Sequence, residues 1–338
     1  MERHEWEKQP IPPGARTACA FSPSNIALAK YWGKRDTALN LPTNGSISAT
    51  LEDFGSFTTV SFHDSFTTDR LFLNSEEAKG GKLGKVLAVL DFVRERAGTQ
   101  SRALVQSANN FPTGAGLASS ASGLSAVALA AAAALGVDSD LTRLSEIARR
   151  GSGSACRSFW GGYVEWARGT RVDGTDSVGR PVASEAHWPL DVFILIVSDV
   201  EKHQGSTDGM EVTRRTSPYF PAWVEAAEAS LSPIRQAILS RDFPRLADLA
   251  EVNCLRFHTS AMAALPPVIY WQGKTLDLIH RVRRMRADGL NVFFTVDAGP
   301  NVVVFCESVH SARAEALLHQ EPGVRVLKTR VGRGARKL

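Results

Sequence analysis

Residues 109–123 read NNFPTGAGLASSASG, and this stretch says more about the fold than any other in the 338-residue chain. Gly114 and Gly116 permit a tight backbone turn because glycine has no Cβ atom. Ser119 and Ser120 follow at the predicted first turn of an Ala-rich helix. Free N–H groups and the helix dipole favour an anion at such a position. The stretch therefore predicts either a phosphate-binding loop or a Gly-rich turn whose serines cap a core helix.

The Ala-rich helix itself has two interpretations. Residues 116–137 carry no charged side chain and are about long enough to cross a bilayer. Ala, Ser and Gly dominate the segment, however, and Ala contributes little to membrane insertion compared with Leu, Ile or Phe. We therefore expect a helix buried in a protein core. The chain has no GxxxxGK[ST] motif and no strand-bounded GxGxxG motif, so Walker-type and dinucleotide-binding folds are disfavoured.

Composition narrows the class of protein further. Apolar residues make up 43% of the chain, and 39 Lys and Arg against 35 Asp and Glu give a net charge of +4, which neither demands nucleic acid nor excludes an anionic small molecule. The four cysteines form no CxxC pair and the histidines no HxH or HxxxH motif, so a disulfide framework and a structural zinc site are not expected. Residues 1–8 lack the apolar segment of a secretory signal, so we predict a cytoplasmic protein.

Hydrophobic periodicity predicts an α+β protein with two lobes. Strands are expected at residues 15–21, 55–62, 102–107, 161–167 and 192–198, the last of them apolar throughout and so central in its sheet. Long helices follow in the second half, and then strands at 292–296, 302–306 and 324–331. We predict a flexible leader at 1–15, an N-terminal lobe at 16–190, a C-terminal lobe at 191–333 and a solvated basic tail at 334–338.

Three further segments carry candidate functional groups. Residues 151–158, GSGSACRS, offer small residues that allow a close ligand approach and one guanidinium, Arg157, that could clamp a carboxylate or phosphate. Residues 24–36, SNIALAKYWGKRD, place three cations beside two aromatic rings. Asp297 ends an apolar strand before a glycine turn and could act as a base if it faces a cleft. A polar loop, an amphipathic turn and an Asx turn are the respective alternatives, and thiol chemistry at Cys156 is disfavoured because no His adjoins it in sequence.

Together these segments resemble the GHMP kinase superfamily and, within it, the diphosphomevalonate decarboxylases. The resemblance is carried by PTGAGLASSA at 112–121 and, in the family's order, by residues 25–36, 152–157, 206–210 and 297–301. It spans roughly residues 16–333. It implies an N-terminal lobe like the ribosomal S5 domain 2, a ferredoxin-like C-terminal lobe, a cleft between them, and a homodimer.

The resemblance also implies an activity: ATP and Mg²⁺ convert mevalonate 5-diphosphate into isopentenyl diphosphate, CO₂, phosphate and ADP. The implied catalytic residues are Asp297 as the base, Lys30 beside the transferring phosphoryl group, and Arg157 on the substrate carboxylate. The remaining substrate-binding positions are Asn25, Tyr31, Trp32, Gly33, Lys34, Arg70, Ser152, Gly153, Ser154, Ala155, Cys156 and Thr207. The ATP phosphates would bind Gly114, Ala115, Gly116, Leu117, Ala118, Ser119 and Ser120, with Ser120 near the metal.

Three other functions remain open at this point. Relatives accept the monophosphate instead of the diphosphate, or phosphorylate mevalonate at C3 without committed decarboxylation. A non-catalytic ligand sensor with the same fold is the third alternative. The diphosphate is favoured because residues 31–34 and Arg70 are present.

Overall fold

The computed structural model describes residues 6–111, 119–137, 140–198 and 204–338. Its first sheet has eight strands in the order β14-β1-β4-β7-β5-β6, with β8 beside β4 and β9 beside β8. All pairs are antiparallel except β5 with β7. The strands are β1 (Arg16–Ala29), β4 (Ser46–His63), β5 (Arg70–Leu73), β6 (Glu76–Ala78), β7 (Arg102–Asn109), β8 (Tyr163–Trp166), β9 (Gly179–Ala183) and β14 (Arg336–Lys337). A separate hairpin joins β2 (Lys34–Asp36) to β3 (Leu41–Pro42).

Three helices pack with this sheet: α1 (Gly80–Ala97), α2 (Ser119–Ala134) and α3 (Leu141–Gly151). The small side chains of α2 let it approach β1 and β4 closely enough for serine hydroxyls to pair across the contact. Ser125 lies 2.6 Å from Ser22, and Ser122 lies 2.7 Å from Ser56, measured between the Oγ atoms. The predicted buried helix is confirmed. In the described part of the chain, no helix has the length and apolar character needed to cross a membrane.

The second sheet has four antiparallel strands in the order β11-β12-β10-β13. They are β10 (Leu190–Ile196), β11 (Val292–Val296), β12 (Val302–Glu307) and β13 (Arg325–Arg330). Strand β10 is an interior strand, as its apolar sequence predicts. The accompanying helices are α4 (Ser206–Thr216), α5 (Phe220–Ser240), α6 (Phe243–Met262), α7 (Gly273–Ala287) and α8 (Ser311–Leu318). We propose to divide the two lobes near residue 190, in the connection between β9 and β10.

The two lobes share one hydrophobic cluster. Ile26 and Leu28 of β1 pack in the same buried group as Ile194 of β10, Ile234 of α5 and Phe293 of β11. Burying these side chains contributes roughly 1.5–3 kcal/mol each. The shared core therefore fixes the end of β1 against the end of β11, which brings Lys30 and Asp297 together.

The N-terminal segment differs from its predicted description. Trp6 is buried: its ring centroid lies 5.2 Å from that of Phe57, and its Nε1–H donates to Thr59. The backbone N–H of Gln9 donates to the side chain of Gln106 at 2.7 Å. The prediction of a flexible leader is therefore wrong for residues 6–9. A single Trp in a polar, Pro-rich segment forms no periodic hydrophobic pattern, so the sequence does not predict that Trp6 is buried.

The C-terminal tail keeps its charged side chains exposed, but contacts hold its backbone. Strand β14 pairs with β1 and extends the first sheet, so the last residues of the chain return to the N-terminal lobe. Arg336 lies over the Phe21 ring at 4.4 Å, and the N–H of Ala335 donates to Ser158. The prediction of a solvated tail is therefore right for the side chains of Arg336 and Lys337. It is wrong for the backbone, which pairs with β1. The edge of β1 offers backbone donors and acceptors that the tail satisfies, a long-range pairing that the tail's own sequence does not indicate.

Candidate active site

The site is centred on a lysine and an aspartate that follow two strand ends. Lys30 comes directly after β1 and Asp297 directly after β11, and the Lys30 Nζ atom donates to Asp297 Oδ1 at 2.5 Å. The lysine side chain is 3% exposed, whereas the aspartate side chain is 25% exposed. The ammonium is thus buried behind a carboxylate that faces open space. Such a pair can accept a proton at Asp297 and place positive charge beside it.

Arg157 supplies a buried positive charge at the same site. It ends the turn Gly153–Arg157, which follows α3, and it is 2% exposed. The guanidinium donates to neutral partners: Asn25 Oδ1 at 3.0 Å, Ser46 Oγ at 2.6 Å and Ser48 Oγ at 2.9 Å. Burial lowers the pKa of Arg157, and neighbouring acidic groups that include Asp297 oppose that shift. Arg157 and Asp297 therefore lie close enough for their charges to interact, and their shared contact with one ligand stays a prediction.

The turn around Gly153 packs against aromatic rings. A Cβ atom on Gly153 would lie 2.6 Å from the Trp166 ring and 3.1 Å from Tyr31, so only glycine fits there. The Tyr31 ring meets Trp166 edge-on at 4.7 Å, and its buried hydroxyl has no hydrogen-bond partner within the described residues. Nearby, Ser152 Oγ and Ser154 Oγ lie 3.4 Å apart. The turn thus presents hydroxyl groups beside an unsatisfied phenol.

Ala155 and Cys156 belong to the same turn, but their side chains are fully buried. Burial raises the pKa of the Cys156 thiol to about 12. A thiol in that state carries almost no thiolate near neutral pH, so Cys156 is not a nucleophile. Both residues serve the packing of the turn, and any contact with a ligand would involve their backbone groups.

Lys34 of β2 and Lys85 of α1 lie close enough for their charges to interact, and the backbone carbonyl of Lys85 lies beside Gly151, just before the turn. Burial lowers the pKa of Lys34, and the charge of Lys85 on α1 lowers it further. Two ammonium groups this close favour a ligand with more than one negative charge. Lys34 is among the predicted site residues, but Lys85 is not. In the sequence, Lys85 looks like an ordinary polar residue on the exposed face of an amphipathic helix. Only the packing of α1 against the site residues reveals it.

Trp32 and Gly33 have structural surroundings. The Trp32 ring is 1% exposed and packs against Phe257, with ring centroids 4.6 Å apart. Gly33 has φ +116°, and a Cβ there would lie 2.6 Å from both Phe220 and Thr43. Only glycine combines that backbone conformation with that close approach. Both residues shape the segment that carries Lys30 and Lys34, and the Trp32 side chain is part of the core.

Two predicted positions lie at or beyond the edge of the site. Arg70 is exposed at the start of β5, where its Nε–H donates to Glu77 and its guanidinium covers the Phe72 ring. Its contacts in the described part of the chain do not join it to the Lys30–Asp297 pair. Thr207 lies in the first turn of α4, two residues before Gly209, whose backbone approaches the Trp32 ring.

The predicted phosphate loop is described only at its end. Gly114, Ala115, Gly116, Leu117 and Ala118 lie outside the described residues. Ser119 and Ser120 form the exposed first turn of α2, and Ser120 Oγ lies 3.5 Å from Ser152 Oγ. The start of α2, whose first turn has no acidic residue, thus adjoins the turn that leads to Arg157.

The chain has the two-lobed α+β fold of the GHMP kinase superfamily. Two further features fit that class: a Gly-rich segment precedes a buried helix, and a Lys–Asp pair lies between the lobes. Residues 22–179 match the family model of the diphosphomevalonate decarboxylase-like N-terminal domain, and residues 192–331 match that of the mevalonate 5-diphosphate decarboxylase C-terminal domain. The chain belongs to the diphosphomevalonate decarboxylase family.

Individual relatives agree with that assignment. The human diphosphomevalonate decarboxylase is 42% identical over 313 residues, which cover 87% of this chain and 77% of the relative. The mevalonate diphosphate decarboxylase from Staphylococcus aureus superposes with a TM-score of 0.89 at 36% identity, covering 96% and 98% of the two chains. A solved structure of MDDEF in complex with MVAPP, AMPPCP and magnesium has a TM-score of 0.89 at 37% identity, covering 95% and 98%.

Proposed function

We propose that the cleft bounded by Lys30, Asp297 and Arg157 carries out the family's reaction, the ATP-dependent decarboxylation of mevalonate 5-diphosphate to isopentenyl diphosphate. The observation that carries this proposal is the buried guanidinium of Arg157, which lies close enough to Asp297 for the two charges to interact. None of the ion pairs in the described part of the chain includes Arg157. A buried charge without a counter-ion is costly, and a substrate carboxylate would offset that cost.

The first step is phosphorylation of the C3 hydroxyl. Asp297 accepts the hydroxyl proton while the oxygen attacks the γ-phosphorus of ATP, and ADP leaves with the electrons of the broken P–O bond. Lys30 places positive charge beside the phosphoryl oxygens. The contact of 2.5 Å between the two side chains keeps the carboxylate oriented before substrate binds. This orientation matters because general-base catalysis requires the acceptor oxygen within hydrogen-bonding distance of the hydroxyl.

The second step breaks a carbon–carbon bond. The C3–O bond breaks and phosphate departs with its electron pair, which leaves carbocation character at C3. The electrons of the bond between the carboxylate carbon and C2 then form the C2–C3 double bond, and CO₂ leaves. Arg157 holds the carboxylate before this step, and its rigid partners Asn25, Ser46 and Ser48 fix the direction in which the guanidinium points.

The diphosphate end of the substrate needs several positive and hydrogen-bonding groups. Lys34 and Lys85 supply the charge, and Ser152, Ser154 and Tyr31 supply hydroxyl groups. The Tyr31 hydroxyl is buried and finds no hydrogen-bond partner among the described residues. It is well suited to donate to a phosphate oxygen, because an unsatisfied buried donor costs about 1–3 kcal/mol. We therefore add Lys85 to the proposed substrate-binding set and treat Arg70 as peripheral.

The described residues fit ATP and Mg²⁺. The first turn of α2 offers N–H groups and the Ser119 and Ser120 hydroxyls to phosphate oxygens, and Ser120 offers an oxygen ligand of the kind that Mg²⁺ prefers. When bound, ATP supplies the phosphoryl group and Mg²⁺ neutralises its charge. The residues on the other side of the cleft bind and orient the acceptor.

Incubation of the protein with mevalonate 5-diphosphate, ATP and Mg²⁺ tests the proposal. We expect ADP and CO₂ to appear together, and Asp297→Asn to lose both by about 100-fold or more. A kinase would produce ADP alone, a monophosphate-specific relative would prefer mevalonate 5-phosphate, and a sensor would bind ligand without turnover. A homodimer and a cytoplasmic location are further proposals from the family resemblance, testable by sedimentation and by cell fractionation.

A further inference from the structure

Strand β11 is the edge strand of the second sheet, so the backbone groups on its outer side have no strand to pair with. Helix α6 covers that side and satisfies the groups with side chains. Glu251 accepts the N–H of Phe294 at 3.2 Å, Cys254 Sγ accepts the N–H of Val296 at 3.2 Å, and His258 Nε2 lies 3.1 Å from the Val296 carbonyl oxygen. Positions 251, 254 and 258 share one face of the helix. The helix face thus replaces a missing strand.

His258 makes the shorter of two side-chain contacts to the Val296 carbonyl oxygen, to which Cys254 Sγ also donates at 3.5 Å. Its side chain is 1% exposed, and its ring packs 4.2 Å from Phe257 and 4.6 Å from Trp271. Burial lowers the pKa of His258 to about 3, so the ring is neutral under ordinary conditions. A carbonyl oxygen only accepts, so the hydrogen lies on Nε2. Nδ1 has no partner in the described structure, so the ring makes one hydrogen bond, to the Val296 carbonyl.

We propose that His258 is a positioning residue for Asp297 and that α6 aligns both members of the Lys30–Asp297 pair. The Val296 carbonyl belongs to the peptide unit whose nitrogen is that of Asp297. Holding this carbonyl therefore fixes the peptide plane from which the Asp297 side chain projects. On the other side of the pair, Asn253 Oδ1 accepts the backbone N–H of Lys30 at 2.7 Å.

This inference rests on the proposed role of Asp297 as the base. A carboxylate oriented by a buried hydrogen bond to its own peptide unit keeps its reacting oxygen in place. Misplacing a catalytic group by about 1 Å can cost about 100-fold in rate. Substrate binding depends on Arg157, Lys34 and the turn 152–156 instead, so loss of the His258 contact should reduce kcat and spare KM.

Three variants of the full-length protein test the inference. His258→Phe keeps an aromatic ring and removes the donor, His258→Gln keeps an N–H donor, and Leu249→Ala weakens packing elsewhere on α6. We expect His258→Phe to lower kcat by about 10-fold to about 100-fold with KM nearly unchanged. His258→Gln should recover most of that loss, and Leu249→Ala should lower the melting temperature while sparing kcat.

Three results would overturn the inference: an unchanged kcat in His258→Phe, no recovery in His258→Gln, or an equal loss of kcat in Leu249→Ala. If His258→Phe does not fold, His258→Met, which also lacks a donor, takes its place. Its kcat should lie at least about 10-fold below that of His258→Gln, and equal kcat values in the two variants would overturn the inference. The wild-type protein in the same assay separates this inference from the proposed function. If the wild type is active and His258→Phe has the same kcat, only the inference is refuted. If the wild type is inactive, the proposed function is refuted.

Discussion

Replacing Arg157 with Gln removes a fully buried positive charge at the centre of the site. Its partners in the described structure are the neutral side chains of Asn25, Ser46 and Ser48. Losing one member of a buried hydrogen-bonded charge pair costs about 2–5 kcal/mol. At about 1.36 kcal/mol per tenfold change, kcat/KM should fall by about 30-fold to about 5,000-fold. The melting temperature should hold or rise, because the variant removes a buried charge that forms no ion pair with any described residue.

The assay is steady-state release of ADP and CO₂ from mevalonate 5-diphosphate, with thermal unfolding measured alongside. Arg235→Gln is the matched control, because Arg235 forms a partly exposed ion pair with Glu165 at 2.7 Å. Exposed pairs contribute about 1 kcal/mol or less to folding stability, and the contacts of Arg235 in the described part of the chain include no residue of the site, so Arg235→Gln should leave kcat/KM nearly unchanged. If Arg157→Gln also lost less than about fivefold, Arg157 would not pair with a desolvated carboxylate and the reasoning would fail.

Three further predictions concern pH, packing and stability. Because burial and Lys85 lower the pKa of Lys34, kcat/KM should decline at a pH below the ordinary lysine range. Lys34→Met should remove that decline, and Lys85→Met should move it to higher pH; an unshifted pH profile would contradict both. Gly153→Ala would push a Cβ against Trp166 and should raise KM by about tenfold in initial-rate assays, so an unchanged KM would count against a ligand-binding role for the turn. Trp6→Ala should lower the free energy of unfolding in urea by about 3 kcal/mol, and a loss below about 1 kcal/mol would mean that the segment is not docked.

The fold was largely predictable because its main elements have strong periodic signals. The Ala-rich helix and the apolar strand β10 lie where their sequences place them. The sequence did not predict that the terminal segments are well ordered, because long-range contacts hold them. Trp6 packs on β4, and the tail pairs with β1. Neither segment carries a local pattern from which such a contact follows.

The site was predictable where small residues and charges cluster in sequence. Lys30 and Asp297 come from distant segments, and the structure joins their side chains. The charge of Asp297 also reaches Arg157, whose role at the same site stays a prediction. Lys85 and His258 were missed because each sits alone in a helix, where a polar residue ordinarily faces solvent. For His258 one signal was available: it falls on the face of α6 that is otherwise buried, where an unpaired polar group is costly.

The stoichiometry of products from mevalonate 5-diphosphate tests the central claim most directly. With ATP and Mg²⁺ present, the purified protein should release ADP and CO₂ in equal amounts and form isopentenyl diphosphate. Release of ADP without CO₂ would contradict the claim, because it would mean that the cleft phosphorylates C3 but does not break the carbon–carbon bond.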